Sequence, residues 1–253
     1  MNNFWSKPNR FVVLGLSVVV AVSCVYLLSI FLDREGMIAT VLLDMQNFPW
    51  SIQNALHILF FIGLGELFIR WRSSVLERAH LSKGYLPENI AGKDALLLQS
   101  HTLGDIRRKV FDKYDGENGV FPFLIDQCIL QFRTTNSIAQ AASIMNSNLE
   151  LISHRLDLNY SMIRYIIWLI PTVGFIGTVV GISWTLNLVN PDDVDLKILT
   201  ASLAVAFNTT LVALILSAIL VFLLHIVQSQ EEKIVNLAGH NCLTNLVNRL
   251  YKG

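Results

Sequence analysis

The chain has 253 residues, of which 53% are hydrophobic and 15% charged, and its formal net charge is +0. Soluble domains typically carry about 25% charged residues, so this composition and a mean hydropathy of +0.51 argue against a soluble globular protein. The balanced charge excludes a general attraction to nucleic acid, and three widely spaced cysteines exclude a disulfide framework and a thiol-based metal cluster.

Two apolar segments come first and predict two membrane helices. Residues 11–32 carry no charge and exceed the length of about 20 apolar residues that crosses a bilayer. The second segment, residues 49–69, begins with Pro-Trp. Proline suits the first turn of a helix and tryptophan suits the bilayer interface, so this pair is expected to mark the start of the second membrane helix. It also carries His57, expected at a solvated or interfacial position, and Glu66. The basic run at residues 70–72 is expected to close this helix.

Polar sequence follows each of these segments. Residues 33–48 are predicted to be a short connection, and the long polar section after residue 72 is predicted to be helical over residues 95–113 and 121–133. From Ser137 onward, apolar residues alternate in steps of four and three, which is typical of a helix that packs along a partner helix. No proline follows before Pro171, so one long helix is expected to run into the membrane.

Two further apolar segments, residues 162–189 and 199–227, predict the last pair of membrane helices. A short acidic turn at residues 190–193 joins them, so they are expected to be antiparallel. Helical spacing continues over residues 228–251. The predicted fold class is therefore an all-α membrane protein with four transmembrane helices. In this prediction the third and fourth helices extend into the cytoplasm, and a helical cytoplasmic loop lies between the second and third.

The chain is predicted to have three parts along its length. They are an N-terminal pair of transmembrane helices at 1–72, a cytoplasmic helical region at 73–160, and a helix pair with a cytoplasmic C-terminal extension at 161–253. Basic residues flank one side of the four segments, and carboxylates dominate the connections on the other. The positive-inside rule then places both termini and the large loop in the cytoplasm. The basic residues are Lys7, Arg10, Arg70, Arg72, Arg78, Arg164, Lys233 and Arg249.

The sequence contains no catalytic motif, phosphate-binding loop or metal-ligand spacing, so we expect no enzyme, cofactor or metal site.

The informative polar residues lie in the last two segments. Thr178 and Thr210 are each near the middle of a segment, so antiparallel helices would bring their hydroxyls to one depth, where they can hold water or an ion. Alternatively, such hydroxyls bond only the carbonyl one turn back. Asn208, next to Thr209, cannot satisfy its amide within its own helix and is expected to face a partner or a pore.

Neither of the last two segments carries a carboxylate within the bilayer, although ion transport commonly uses one. If the chain moves ions, the carboxylate must therefore come from Glu66 or from another polypeptide. Glu66 lies one turn from Arg70, so an interfacial ion pair between these two residues is the simpler interpretation.

The third segment carries residues that are unfavourable inside a helix. Pro171 removes a helical hydrogen bond, and each glycine costs about 1 kcal/mol relative to alanine. The glycines are Gly174, Gly177 and Gly181, and the last two form a small-xxx-small pair, which lets helix backbones approach closely. This pattern indicates close helix packing or a polar path rather than simple anchoring.

Residues 171–182 and 203–213 resemble the signature helices of the MotA/TolQ/ExbB proton-channel family. In that family a proline precedes glycines and a Gly-Thr-x-x-Gly step, and the next helix has small and threonine positions, here Ala206 and Thr210. The resemblance is specific over about residues 168–227 and rests on layout elsewhere. Four segments match the flagellar-stator branch, whereas Val205 stands where the biopolymer-transport branch often has a glutamate.

The resemblance implies a subunit of a proton- or sodium-driven rotary motor in the bacterial inner membrane. Such subunits form a homopentamer around a dimer of a single-helix MotB/TolR/ExbD-like partner, which supplies the ion-binding aspartate. For the ion path the resemblance implies Thr178, Thr209, Thr210 and Asn208, and for flexing and packing Pro171, Gly174, Gly177, Gly181 and Ala206. The alternative is a non-conducting structural or adaptor membrane protein. A transporter with its own substrate site is disfavoured by the short chain and the lack of an inverted repeat.

Overall fold

The computed structural model describes residues 9–32, 36–43, 50–86, 98, 100–113, 119–187 and 196–251. These residues form α-helices, one 3-10 helix and no β-strand. The α-helices are α1 Arg10–Phe31, α2 Met37–Leu42, α3 Ile52–Leu81, α4 Ser100–Lys113, α5 Val120–Thr135, α6 Ile138–Asn159, α7 Ser161–Asn187 and α8 Leu196–Asn245, and the 3-10 helix is Val247–Arg249. Four helical stretches, namely α1, α3, α6 with α7, and α8, are long and apolar enough to cross a membrane. The chain is a multi-pass, all-helical membrane protein.

The four apolar segments predicted from the sequence are helical in their described parts, apart from residues 50 and 51, which precede α3, and Leu32, which caps α1. The helix predicted over 121–133 lies within α5, whereas the one predicted over 95–113 begins only at Ser100, because Leu98 forms an isolated β-bridge with Leu250. The predicted end of the second helix is wrong, because α3 continues beyond residue 72 to Leu81. A basic run marks a bilayer edge but does not stop a helix, and no glycine or proline follows it until Gly84. Gly84 has a positive φ of 58°, which ends the helical path. The turn predicted at residues 190–193 lies outside the described residues.

Three further details differ from the predictions. The helix expected to continue over residues 228–251 ends at Asn245 and is followed only by the 3-10 helix Val247–Arg249. The connection at residues 33–48 contains the short helix α2, and the long helix predicted from Ser137 is interrupted at Tyr160, between α6 and α7. The Tyr160 N–H bonds the carbonyls of Asp157 and Leu158 instead of the carbonyl four residues back. At the same position the fully buried Tyr160 hydroxyl donates to Glu231 Oε2 at 2.7 Å.

The chain forms two compact units. The described residues of the first unit fall in Arg70–Tyr160 and Val227–Gly253, and those of the second in Ser6–Ile69 and Ser161–Ile226. The first unit has an apolar core from α4, α5, α6 and the end of α8, which includes Leu124, Ile129 and Leu246. The three-part division along the chain stays a prediction.

The second unit contains the antiparallel pair of α7 and the first part of α8. As residue numbers rise along α7, the numbers of the α8 residues that they contact fall. Ile167 is bonded by Ser217, Gly174 faces Ala213, and Gly181 faces Ala206. This direction agrees with the expectation from the sequence. The pair carries the residues that the sequence singled out.

Candidate functional site

The small residues of α7 lie at its closest contact with α8. A Cβ at Gly181 would be only 2.6 Å from the Cβ of Ala206. A Cβ at Gly174 would collide with the Cβ of Ala213 and lie 3.3 Å from the carbonyl oxygen of Thr209. The missing side chains therefore let the two backbones approach to a distance that alanine would prevent.

Thr178 and Thr210, called here the threonine pair, lie opposite each other, and their hydroxyls are in contact. Thr210 Oγ1 donates to the carbonyl of Gly174 at 2.9 Å, and Thr178 Oγ1 lies 3.2 Å from the carbonyl of Ala206. A hydroxyl has one proton and two lone pairs, so Thr210 can donate to Gly174 and still accept a bond from Thr178 or from an ion's hydration shell. Both side chains are half-buried. An ion path through the pair stays a prediction.

The two polar neighbours on α8 have other partners. Thr209 is buried, and its hydroxyl donates at 2.7 Å to the carbonyl of Ala206 in its own helix. It also lies beside α7, because a Cβ at Gly177 would be 2.9 Å from Thr209 Oγ1. Asn208 Nδ2 lies 3.4 Å from the carbonyl oxygen of Thr40 in α2. The structure therefore brings Thr178 and Thr210 together and places Asn208 against α2.

Pro171 lies inside α7 and has no N–H, so the carbonyl of Ile167 loses its helical donor. Ser217 Oγ on α8 donates to this carbonyl at 3.1 Å. Ser217 is only 8% exposed. No sequence pattern had indicated a specific role for Ser217. The position of Pro171 was the available signal, since a proline in a membrane helix identifies the carbonyl that needs another donor.

Glu66 is buried and forms an ion pair with Arg10 of α1, with 2.7 Å between Oε1 and Nη2. The predicted pair with Arg70 is wrong. Arg70 is one turn away along α3, but α1 packs against α3 and brings a guanidinium directly onto the carboxylate. Gly65 permits this approach, since a Cβ there would lie 3.0 Å from the Cβ of Ser17. Glu66 thus joins α1 to α3.

The end of α2 is held by polar side chains of α3. Gln53 Nε2 donates to the carbonyl of Val41 at 2.9 Å, and His57 Nε2 lies 3.0 Å from the carbonyl oxygen of Leu42. Both side chains are buried, so a solvated His57 is excluded, and its interfacial depth stays a prediction. The last carbonyls of a helix have no donor within it, and buried carbonyls therefore recruit one from a neighbour. A six-residue helix also needs such support, because it is too short to be stable alone.

Residues 122–238, which run from α5 into α8, match the model of the MotA/TolQ/ExbB proton channel family. Over these residues the chain is similar to that family. The matched region contains the threonine pair, Pro171 and Ser217, and it confirms the resemblance found in the sequence. It also reaches further towards the N-terminus than the sequence pattern, which was specific only from about residue 168. No curated protein and no solved structure matches the chain.

Proposed function

We propose that this chain is the multi-helix subunit of an ion-driven rotary motor, powered by protons or sodium ions. The match of residues 122–238 to a proton channel family, together with four helical stretches long and apolar enough to cross a membrane, supports a membrane subunit of this kind. The observation that carries the proposal is the threonine pair, which places two hydroxyls side by side inside the α7–α8 contact of the family-matched region. Hydroxyl oxygens suit an ion that exchanges partners as it moves.

The proposal assigns the ion-binding carboxylate to a second protein. Residues 161–187 and 196–226 contain no aspartate or glutamate, and the carboxylate of Glu66 is engaged by Arg10. Because Glu66 Oε1 already binds the Arg10 guanidinium, the proposal does not use this carboxylate as the ion carrier. A dimer of a single-helix MotB/TolR/ExbD-like partner would supply the aspartate, at the centre of a homopentamer of this chain.

The proposal places the chain in the bacterial inner membrane, with both termini and the first unit in the cytoplasm. The distribution of basic residues along the sequence supports this orientation. Large apolar side chains such as Phe11, Phe175 and Phe222 are exposed on the helices, as contact with lipid or with neighbouring membrane subunits requires. The proposal assigns the chain no enzymatic reaction, no cofactor and no nucleic-acid partner, and the transported ion is its only small ligand.

Replacement of Thr178 tests the ion path. Thr178→Val keeps the shape of the side chain and removes the hydroxyl, whereas Thr178→Ser keeps the hydroxyl. In the complex with its partner, Thr178→Val is expected to lower ion-driven work by at least about tenfold, since a lost hydrogen bond to a charged group is worth about 1.5–3 kcal/mol. Thr178→Ser should retain most of the work.

The matched control is Thr200→Val, because the hydroxyl of Thr200 donates to the carbonyl of Leu196 in its own helix. All variants must assemble to the same size. A Thr178→Val complex that assembles and works at the wild-type rate would favour the structural alternative.

Native mass spectrometry tests the assembly. We expect five copies of this chain with two copies of the single-helix partner. A monomer that conducts cations unaided, or a ring with no central occupant in its native membrane, would contradict the proposal.

A further inference from the structure

The hydrogen bond from Ser217 to the carbonyl of Ile167 differs from the other hydroxyl bonds of α8 in its acceptor. Ser217 crosses from α8 to the one α7 carbonyl whose helical donor Pro171 removes. Of the other α8 hydroxyls, those of Thr200 and Thr209 donate to carbonyls of their own helix. The Thr210 hydroxyl also crosses to α7, but it donates to Gly174, whose carbonyl does not lose its helical donor to a proline. The serine therefore repairs the helix at the point where the proline interrupts it.

An unpaired backbone carbonyl is strongly unfavourable in a bilayer, because no water is there to bond it. At the level of Pro171, α7 can therefore lie against α8 without penalty only while Ser217 stays opposite Ile167. A serine in a helix can also donate to the carbonyl four residues back in its own helix. For Ser217 this second acceptor is the carbonyl of Ala213. A hydroxyl with two alternative acceptors on two helices is a two-state element.

The position of the proline gives this element a consequence. Thr178 lies seven residues after Pro171, which is about two helical turns or ~10 Å along α7. Between them, Gly174 lies against Ala213 with no Cβ to keep the backbones apart. A bend of α7 at Pro171 would therefore change the distance between Thr178 and Thr210.

We propose that Ser217 is the latch of a hinge at Pro171. With the latch closed, the hydroxyl holds the carbonyl of Ile167 and the threonine pair is in contact. With the latch open, the hydroxyl turns to Ala213 of its own helix and leaves the carbonyl of Ile167 unpaired, so the open state is the less populated one. In that state α7 bends at Pro171, and the threonine pair separates. Ser217 is a positioning residue, since it acts on the threonine pair through α7. The use of this hinge in a motor rests on the proposed function, whereas the latch itself does not.

An epistasis experiment on the full chain tests the latch. Pro171→Ala restores an N–H opposite the carbonyl of Ile167, so this carbonyl no longer needs the serine. In the wild-type background, Ser217→Ala is expected to lower the Tm in detergent by about 2–4 °C. In the Pro171→Ala background the same change should have at most about a third of that effect. Equal effects in the two backgrounds would overturn the proposal.

A spectroscopic measurement provides a direct readout. The carbonyl of Ile167 is labelled with carbon-13 and oxygen-18, and its amide I band is followed in detergent. Ser217→Ala should move the band to higher wavenumber, and Ser217→Thr should leave it in place because the hydroxyl is retained. Ser202→Ala, on the same helix about four turns earlier, is the matched control and should not move the band. If Ser217→Ala fails to fold, Ser217→Cys takes its place, since a thiol is a much weaker donor of similar size. An unmoved band in the Ala or the Cys variant would overturn the latch.

The complex with its partner separates this inference from the proposed function. Ser217→Ala should reduce ion-driven work at least about threefold, with assembly unchanged, and Ser217→Thr should restore it. Epistasis without an effect of Thr178→Val on work would keep the latch and reject the motor. Loss of work in Thr178→Val without epistasis at Pro171 would keep the motor and reject the latch.

Discussion

Single residues decide how closely α7 and α8 approach. Gly174 has both a packing and a bonding role, because its missing Cβ makes room for Ala213 and its carbonyl accepts the hydroxyl of Thr210 at 2.9 Å. Glycine is unfavourable in a helix interior by about 1 kcal/mol relative to alanine. Close packing and an interhelical hydrogen bond together offset a cost of that size.

Gly174→Ala should therefore destabilise the chain, although alanine is the better helix former. Overpacking by one methyl group typically costs about 1–3 kcal/mol. Unfolding in mixed micelles with increasing denaturing detergent would measure this loss, and Ala213→Gly should restore part of it. Gly15→Ala is the control, because a Cβ there would meet nothing within 4 Å. Equal stability of the Gly174→Ala and Gly15→Ala variants would contradict this account of the contact.

At the scale of elements, a polar pair lies between α6 and α8 in the first unit. The pair is formed by Tyr160, which follows α6, and Glu231 of α8. The same two helices also make an apolar contact, in which Leu149 lies against Gly239. Burial and the hydrogen bond to the Glu231 carboxylate raise the pKa of Tyr160 well above its ordinary value. A buried polar pair in an apolar seam can set the register of two helices, as a single asparagine does in coiled coils.

Tyr160→Phe removes this hydroxyl and should lower the free energy of unfolding by about 1.5–3 kcal/mol at neutral pH. The wild-type chain should also lose stability as pH rises above about 10, because the unfolded tyrosine releases its proton before the folded one. The variant lacks this contribution, so the stability difference between the two chains should shrink at high pH. Urea unfolding at several pH values would measure the difference, with Tyr165→Phe, an exposed tyrosine, as control. A difference independent of pH would contradict the role given to the Tyr160 hydroxyl.

At the scale of the whole molecule, the chain divides into two compact units. The first has its own apolar core, which contains Cys128 and Cys242 with 3.8 Å between their sulfur atoms. The hydrogen bond with Cys128 and burial raise the pKa of Cys242, so the reactive thiolate is scarce. Cys24, on α1 in the second unit, is half-buried.

In detergent, urea should unfold the first unit before the helices of the second unit. Membrane helices keep their backbone bonds in an apolar medium, whereas urea directly weakens the apolar core of a unit that lies in water, as proposed for the first unit. Maleimide labelling of Cys128 and Cys242, read by mass spectrometry, should therefore begin at a lower urea concentration than the loss of the remaining helical circular dichroism. One common transition for both signals would show that the units unfold together.

Hydropathy and helical spacing predicted four membrane helices and an antiparallel last pair. The resemblance to the proton channel family rested on the residues of two short motifs, 171–182 and 203–213. These features are local, because they depend on the length of an apolar run and on residues three or four positions apart. For the same reason, the sequence placed Thr178 opposite Thr210 once the two helices were taken as antiparallel.

The tertiary structure decided which polar groups are partners. Arg70 was the nearest base to Glu66 along its helix, yet Arg10, 56 residues away, holds the carboxylate. Ser217 bonds the carbonyl freed by Pro171, and Gln53 and His57 bond the end of α2. A buried donor or acceptor must find a partner on whichever element packs beside it. Hydropathy and spacing do not contain that information, because it arises only when distant segments meet.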